Sequence, residues 1–417
     1  MLPTASTAIY LDAISVRAAN RLKCAAFWAL LSFAPSVLQS QALTRAAAIE
    51  SAIARGGRLP LAAADTSVAF AQLLAARALQ NPAFSTTYSK SVPQLHFTIE
   101  LPIDLPSLRS ARIGAARAGL RASELRYSYE RAAATLDVDT TYTRALAAAA
   151  RARLSSRNAL VADTLLQITI ARRNAGDASE LDVELARVNS GQEHNLAIAD
   201  SLELISVVAD LATITAIPST ANIALADTLA LPDTVSPAGT GGDPLQIAAR
   251  MQSVISAERA LSAERRSVFG SPALMAGIDT HDPTGSEKGI LPTFGITLPI
   301  PLLNRNRAGI MTANAELTRA RAELTITRLE YSASLAHLRR RRATAYNRAI
   351  LDRTLLESAN RVASMSVRAY REGAVPIANV FEAQRSARDV LRQYVDDLAD
   401  VWIADAMLRV LTLTAQQ

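Results

Sequence analysis

Cysteine is almost missing from this chain of 417 residues: the one thiol is Cys24. It lies in an N-terminal apolar stretch, and the "RLK" before it is not the small apolar set that precedes a lipidated cysteine. Nothing downstream can therefore form a disulfide or a thiolate metal site. Aromatic residues make up only 5% of the chain and glycine only 16 positions, whereas half of all residues are hydrophobic, with alanine dominant. Few large rings and abundant Ala favour long, closely packed helices over a globule built on bulky side chains. Histidine is also scarce. His96, His194, His281 and His337 are scattered without ligand spacing, His281 in "DTHD" being the strongest metal candidate of the four. No Gly-rich phosphate loop and no Ser or Cys nucleophile motif occurs. The expectation is a non-enzyme with no cofactor and no metal site.

Charge of one sign is in short supply too. The formal balance is +6, and residues 1–42 carry a net +2 of it through Asp12, Arg17, Arg21 and Lys23, leaving +4. The run from Arg339 to Arg342 does not indicate nucleic acid, because four consecutive helical residues point in four directions and cannot form one phosphate-binding face. Residues 1–42 read as an export signal: two positive charges in "RLK", an apolar stretch over 24–38, and Ser40-Gln41-Ala42 in the small-x-small cleavage pattern. The leader is long, and no methionine lies between Met1 and Met251, so translation is expected to begin at Val16. Past the signal, no uninterrupted apolar run reaches the roughly 20 residues of a membrane-spanning helix. An exported chain of this kind belongs either in the periplasm or in a membrane by way of strands.

What the sequence does have is an internal repeat. "FTIELPIDL" at 97–105 answers to "FGITLPIPL" at 294–302, and the Gly in "AGDASELDVELA" (Gly176) to that in "EGAVPIANVFEA" (Gly373), both at a shift of 197 residues. "NPAFSTTY" and "SPALMAGI" are offset by 190, so the second copy has a turn seven residues longer. Each copy holds a strand pair. Leu95, Phe97, Ile99, Leu101 and Ile103 alternate with His96, Thr98, Glu100 and Pro102; Phe294, Ile296, Leu298 and Ile300 alternate with Gly295, Thr297 and Pro299. Phe84, Thr86 and Tyr88 in one partner strand match Leu274, Ala276 and Ile278 in the other. One apolar and one small or polar face is the pattern of a transmembrane β-barrel strand.

Two very long helices follow. Residues 107–174 contain no proline and predict a helix of about 100 Å at 1.5 Å per residue, returning over 180–216. The second copy predicts helices over 307–371 and 377–412, the latter with an apolar stripe of Val390, Tyr394, Leu398, Val401, Ala404 and Leu408. Residues 231–244 read as a linker between a first structural repeat (43–230) and a second (245–417). Four strands cannot close a barrel in lipid, so the chain is expected to assemble, three copies giving twelve strands.

This combination resembles the TolC-like outer membrane efflux proteins. The resemblance spans residues 43–411 and rests on "NPAF", "ELPIDLPSLRSARI", "IPLLNRNRAGI" with its "A.AEL..AR.EL" continuation, and the two Gly tips. "PIPLLNRNRAGI" is most similar to the heavy-metal resistance branch, the CzcC-like channels. The resemblance implies a mainly α fold with a β-barrel part: a homotrimer whose twelve-stranded barrel crosses the outer membrane and whose helical barrel crosses the periplasm. It implies a passive conduit, probed at its tips by a periplasmic adaptor and fed by an inner-membrane pump of the RND type, with metal cations as cargo. Carried onto this chain, the adaptor-facing tips comprise Gly176, Asp177 and Leu181, and Gly373, Val375, Pro376 and Val380. The periplasmic gate comprises Asp182, Tyr370 and Glu382. A basic residue that helps lock some members falls at Val375 here, so that link is absent. Asp182 and Glu382 have an alternative role, as acids suited to the positive end of a helix. The alternative for the whole chain is a periplasmic coiled-coil adaptor or scaffold without a pore. It is disfavoured because adaptors carry one helical hairpin between β-domains, whereas this chain has two at a constant shift.

Overall fold

In the computed structural model the chain is described over residues 42–218, 223–232, 242–280, 284 and 289–414. Residues 1–41 of the expected export signal, most of the expected linker and His281 lie outside the described residues. Seven α-helices are described: α1 (Arg45–Arg55), α2 (Arg58–Arg77), α3 (Pro106–Asn174), α4 (Glu180–Thr215), α5 (Leu245–Arg266), α6 (Arg307–Arg371) and α7 (Ile377–Leu411). The strands are β1 (Ala42–Leu43), β2 (Ala83–Tyr88), β3 (Leu95–Pro102), β4 (Ala224–Leu225), β5 (Ala273–Thr280) and β6 (Leu291–Thr297).

The two antiparallel hairpins, α3 with α4 and α6 with α7, account for most of the molecule. α3 runs for 69 residues, with Pro106 at its first turn, where the missing N–H costs no hydrogen bond. Its reversal is chemical. Gly176 adopts φ +88°, and the amides of Gly176 and Asp177 reach back to the carbonyls of Arg173 (3.0 Å) and Arg172 (2.8 Å). That is the Schellman arrangement, which satisfies carbonyls a helix end leaves open. The second tip repeats it: Gly373 at φ +77°, Gly373 N–H to Tyr370 O (3.0 Å) and Ala374 N–H to Ala369 O (2.8 Å).

The two helices that leave the tips start differently. Ser179 and Asp182 form a reciprocal capping box at α4. Pro376 occupies the N-cap of α7 with an extended ψ of 155°, immediately before the helix start expected at 377, so its ring directs the chain into the helix from just outside it.

β2, β3, β5 and β6 form one antiparallel sheet in that order, and the β3–β5 ladder joins the two repeats. The register aligns Phe84, Ile99, Ala276 and Phe294 in one row and Leu101, Leu274 and Ile296 in the next. These large apolar side chains are exposed, Phe294 at 84% and Ile296 at 75%. The opposite face carries Thr87, His96 and Asp279 in one row and Thr98, Gly277 and Thr293 in another. The alternation over 294–300 outlasts its strand. β6 ends at Thr297 because its last partner, Ala273, begins β5, leaving Leu298 and Ile300 without a ladder.

Three shorter helices brace the long ones. α2 lies along α3, and α5 lies between α3 and α6; α5 was not expected from the sequence. α2 is long and apolar enough over 20 residues to cross a membrane by length and composition, yet Asp65, Thr66 and Ser67 interrupt it, so its apolar run is not continuous over that length. Near the middle of α3 and the C-terminal end of α4, Leu43, Val138, Tyr142, Leu146 and Leu211 make a core. There the Tyr142 hydroxyl lies 2.7 Å from Leu43 O and 2.9 Å from Asp227 Oδ2. Burial, followed by that carboxylate, pushes the phenol up to about 12.

Candidate functional site: the paired helical tips

A second core sits just inside the tips. Leu165 of α3, Ala186 of α4, Tyr370 of α6 and Ile377 and Val380 of α7 pack together, each fully buried aliphatic side chain contributing about 1.5–3 kcal/mol. Tyr370 is only 3% exposed, and its hydroxyl donates to Thr169 Oγ1 at 3.1 Å. The Arg172 guanidinium stacks 4.7 Å from the centre of its ring. The same guanidinium donates to the backbone carbonyl of Tyr370 and, at 3.1 Å, to that of Asp177. One cation thus caps the C-terminal end of α6 from the first hairpin and also holds the first tip's own loop, which matches the charge preference of a helix C-terminus.

The expected tip residues separate into surface and interior. Gly176, Asp177, Leu181, Gly373 and Pro376 are exposed, and Val375 is half-buried against the tip core. Val380, expected at the adaptor-facing surface, is wholly buried. It falls on the face of α7 that packs against α3 and α4, so it shapes the tip from inside. Among the three expected gate residues, the structure of one chain makes no direct link. Asp182 accepts from Ser179 N (3.0 Å) and Ser179 Oγ (2.9 Å), the capping role. Glu382 is exposed on α7, and Tyr370 is engaged by Thr169 and Arg172.

Sequence reading missed the residues that connect the hairpins. Arg172 carried a faint signal, a basic residue in the last turn before a C-terminal glycine. Above it, Arg388 of α7 pairs with Glu193 of α4. Arg392 pairs with Asp200 through both oxygens, at 2.9 and 3.2 Å. Arg151 of α3 reaches Asp396 at 2.6 Å. Within the second hairpin, Arg348 meets Asp397 at 2.9 Å. Burial, then a hydrogen bond with Asp352, pushes the Asp397 carboxyl up to about 6. Nothing local in the sequence marks these pairs, whose members lie up to 245 residues apart. Among the described residues no group of three or more His, Cys, Asp and Glu is arranged to hold a metal ion.

Residues 48–216 and 272–412 match the outer membrane efflux protein family. The chain is 24% identical over 379 residues to the cobalt-zinc-cadmium resistance protein CzcC of Cupriavidus metallidurans, covering 87% of this chain and 88% of that protein. It is also 24% identical over 315 residues to the nickel-cobalt-cadmium resistance protein NccC of Alcaligenes xylosoxydans xylosoxydans, covering 73% and 71%. Among solved structures, the outer membrane protein VceC of Vibrio cholerae matches with a TM-score of 0.77 at 16% identity, over 89% of this chain and 96% of that one. The CmeC channel of Campylobacter jejuni matches with 0.75 at 15% identity, over 88% and 84%. These likenesses establish the TolC-like fold. The chain therefore belongs to the outer membrane efflux protein family: it is a non-enzymatic outer-membrane channel that extends into the periplasm and works with a periplasmic adaptor and an inner-membrane pump.

Proposed function

We propose that three copies of this chain close into one duct that exports metal cations. The observation that carries the assembly is the sheet: its outer strands β2 and β6 have no further partner among the described residues, and its large apolar side chains are exposed in rows. An unpaired edge is untenable in lipid. Three sheets joined edge to edge make a twelve-stranded barrel with Phe84, Ile99, Leu274, Phe294 and Ile296 toward outer-membrane lipid. The helices offer matching faces. On α4, Leu181, Leu185, Val188, Ile198, Leu202 and Ile205 are exposed at spacings of three and four, with polar Gln192 and Asn195 between. On α6, Leu351, Leu355, Val362 and Met365 are exposed with the same rhythm. Such stripes pack as a coiled-coil seam, and α4 of one copy against α6 of the next is a heterologous contact that closes at three.

The tips then form the periplasmic mouth. Gly176, Asp177, Leu181, Gly373, Val375 and Pro376 supply the adaptor-facing surface. Tyr370 holds the closed end, with Asp182 and Glu382 as the acids near it, and a threefold ring of Glu382 favours cations at the mouth. The two regions 43–230 and 245–417 act as structural repeats about this arrangement. Cation cargo is supported by the names of CzcC and NccC, and an RND-type pump by the notional place of such a duct in a cation system. Deletion of the coding sequence tests the cargo: tolerance to cobalt, zinc and cadmium salts should fall and return on complementation. Unchanged metal tolerance with raised sensitivity to organic compounds would overturn the cation reading.

A further inference from the structure

The polar face of the four-stranded sheet carries an imidazole set up as a metal ligand. His96 of β3 and Asp279 of β5 are direct partners in the ladder, and His96 Nδ1 lies 2.9 Å from Asp279 Oδ1. An ionised carboxylate can only accept, so Nδ1 carries the proton and donates it. Nε2 then keeps its lone pair, and it has no hydrogen-bond partner among the described residues. A carboxylate behind the ring, fixing its tautomer and direction, is the support that metal-ligating histidines almost always have. The His96 side chain is 32% exposed, so the ring is open to an ion arriving from solvent.

One row nearer the helices the same face is cut away. Gly277 pairs with Thr98 on one side and Thr293 on the other, and a Cβ there would come within 2.6 Å of Thr293 Oγ1 and 3.3 Å of Thr98 Oγ1. Two hydroxyls therefore border a notch beside the His96–Asp279 pair, and hydroxyl oxygens suit the water shell of a cation held by one protein nitrogen. His96 stands six residues before Pro102, about 20 Å from the helical end of the sheet, next to the turn over 89–94. The pair thus marks the end of the sheet where an exported ion would leave.

We propose that His96, held by Asp279, is a transient ligand for divalent cations of the zinc, cobalt and cadmium class at the outer end of the duct. This rests on the reading of the sheet as one third of a barrel, which turns its polar face to the lumen. Three copies then set three such ligands at one level. A passing ion exchanges one of its waters for Nε2, whereas magnesium, which prefers oxygen and dehydrates reluctantly, does not. A single imidazole per chain binds weakly, and a conduit needs that weakness, because an ion must leave as readily as it enters.

The test is protection of His96 from carbethoxylation by diethyl pyrocarbonate in outer membranes containing the full protein, read for each histidine by peptide mass spectrometry. The reagent attacks a free imidazole nitrogen, so a bound ion shields it. Zinc chloride should protect His96 and magnesium chloride should not. The half-protecting zinc concentration should be at least about 10-fold lower for His96 than for His337, which is exposed on α6 and has no carboxylate partner among the described residues. Asp279→Ala should raise the value for His96 by about 10-fold or more. Equal protection by the two metals, a half-protecting concentration no lower than that of His337, or an unchanged value in Asp279→Ala would overturn the assignment. The cargo reading fails separately, since it falls only if deletion of the coding sequence leaves metal tolerance unchanged, whatever zinc does at His96.

Discussion

Arg172 illustrates how much one side chain can decide here. Its guanidinium joins the carbonyl end of α6 to the first tip and stacks on Tyr370, while Val375 is apolar and packs inward. The cation that ties the tips comes from the opposite hairpin. Arg172→Ala should therefore loosen the tip and raise the conductance of channels in planar bilayers, with Arg172→Lys intermediate, because lysine keeps the charge but cannot form the paired contacts. Equal conductance in all three proteins would remove Arg172 from this role. Asp397 gives a pH prediction. Its carboxyl is raised to about 6 from an unfolded value near 3.8, so the folded state binds the extra proton between those values. The stabilisation it brings is complete below about pH 4 and lost as the pH rises through about 6. Thermal melts of Asp397→Asn from pH 4 to 7 should show a shallower fall in Tm than the parent; parallel curves would contradict the assignment.

At the scale of elements, the tips are the part best read from sequence. Gly176 and Gly373 marked both reversals, and the long proline-free stretches gave α3 and α6 nearly to the residue, because helix propensity and the positive-φ requirement are local properties. Gly176 has open space where a Cβ would go, so Gly176→Ala tests backbone strain alone. It should cost about 1–2 kcal/mol and raise amide exchange in residues 173–183 with little effect elsewhere; unchanged exchange there would show the turn tolerates an L side chain. Strand alternation was equally legible, though not where β6 stops, since that depends on the start of β5 in the ladder. Less legible were α5, the inward turn of Val380 and the arginine pairs between α4 and α7. Each depends on which face of one helix meets another across some 200 residues of chain, and the spacing of apolar residues along one helix does not choose among its neighbours. Asp182 was ambiguous in the sequence for a related reason: capping box and tip acid occupy the same position, and in the single chain its carboxylate is engaged by Ser179.

The molecule as a whole makes sense only as part of a larger object. A single copy leaves the apolar face of its sheet and the stripes on α4 and α6 uncovered, an amount of exposed apolar surface that marks interaction sites rather than a finished monomer. The central claim is that three copies close into one duct by laying α4 of each against α6 of the next. Val188 and Val362 lie 12 and 11 residues from Gly176 and Gly373, at matching heights, and both are exposed. Cys24 is the chain's one native cysteine, so engineered thiols can be read with little background. Oxidation of Val188→Cys/Val362→Cys in outer membranes should give a covalent trimer on non-reducing gels, with each single variant remaining uncrosslinked. A ladder that stops at dimer, continues past trimer, or never forms while the protein reaches the membrane folded would contradict the account.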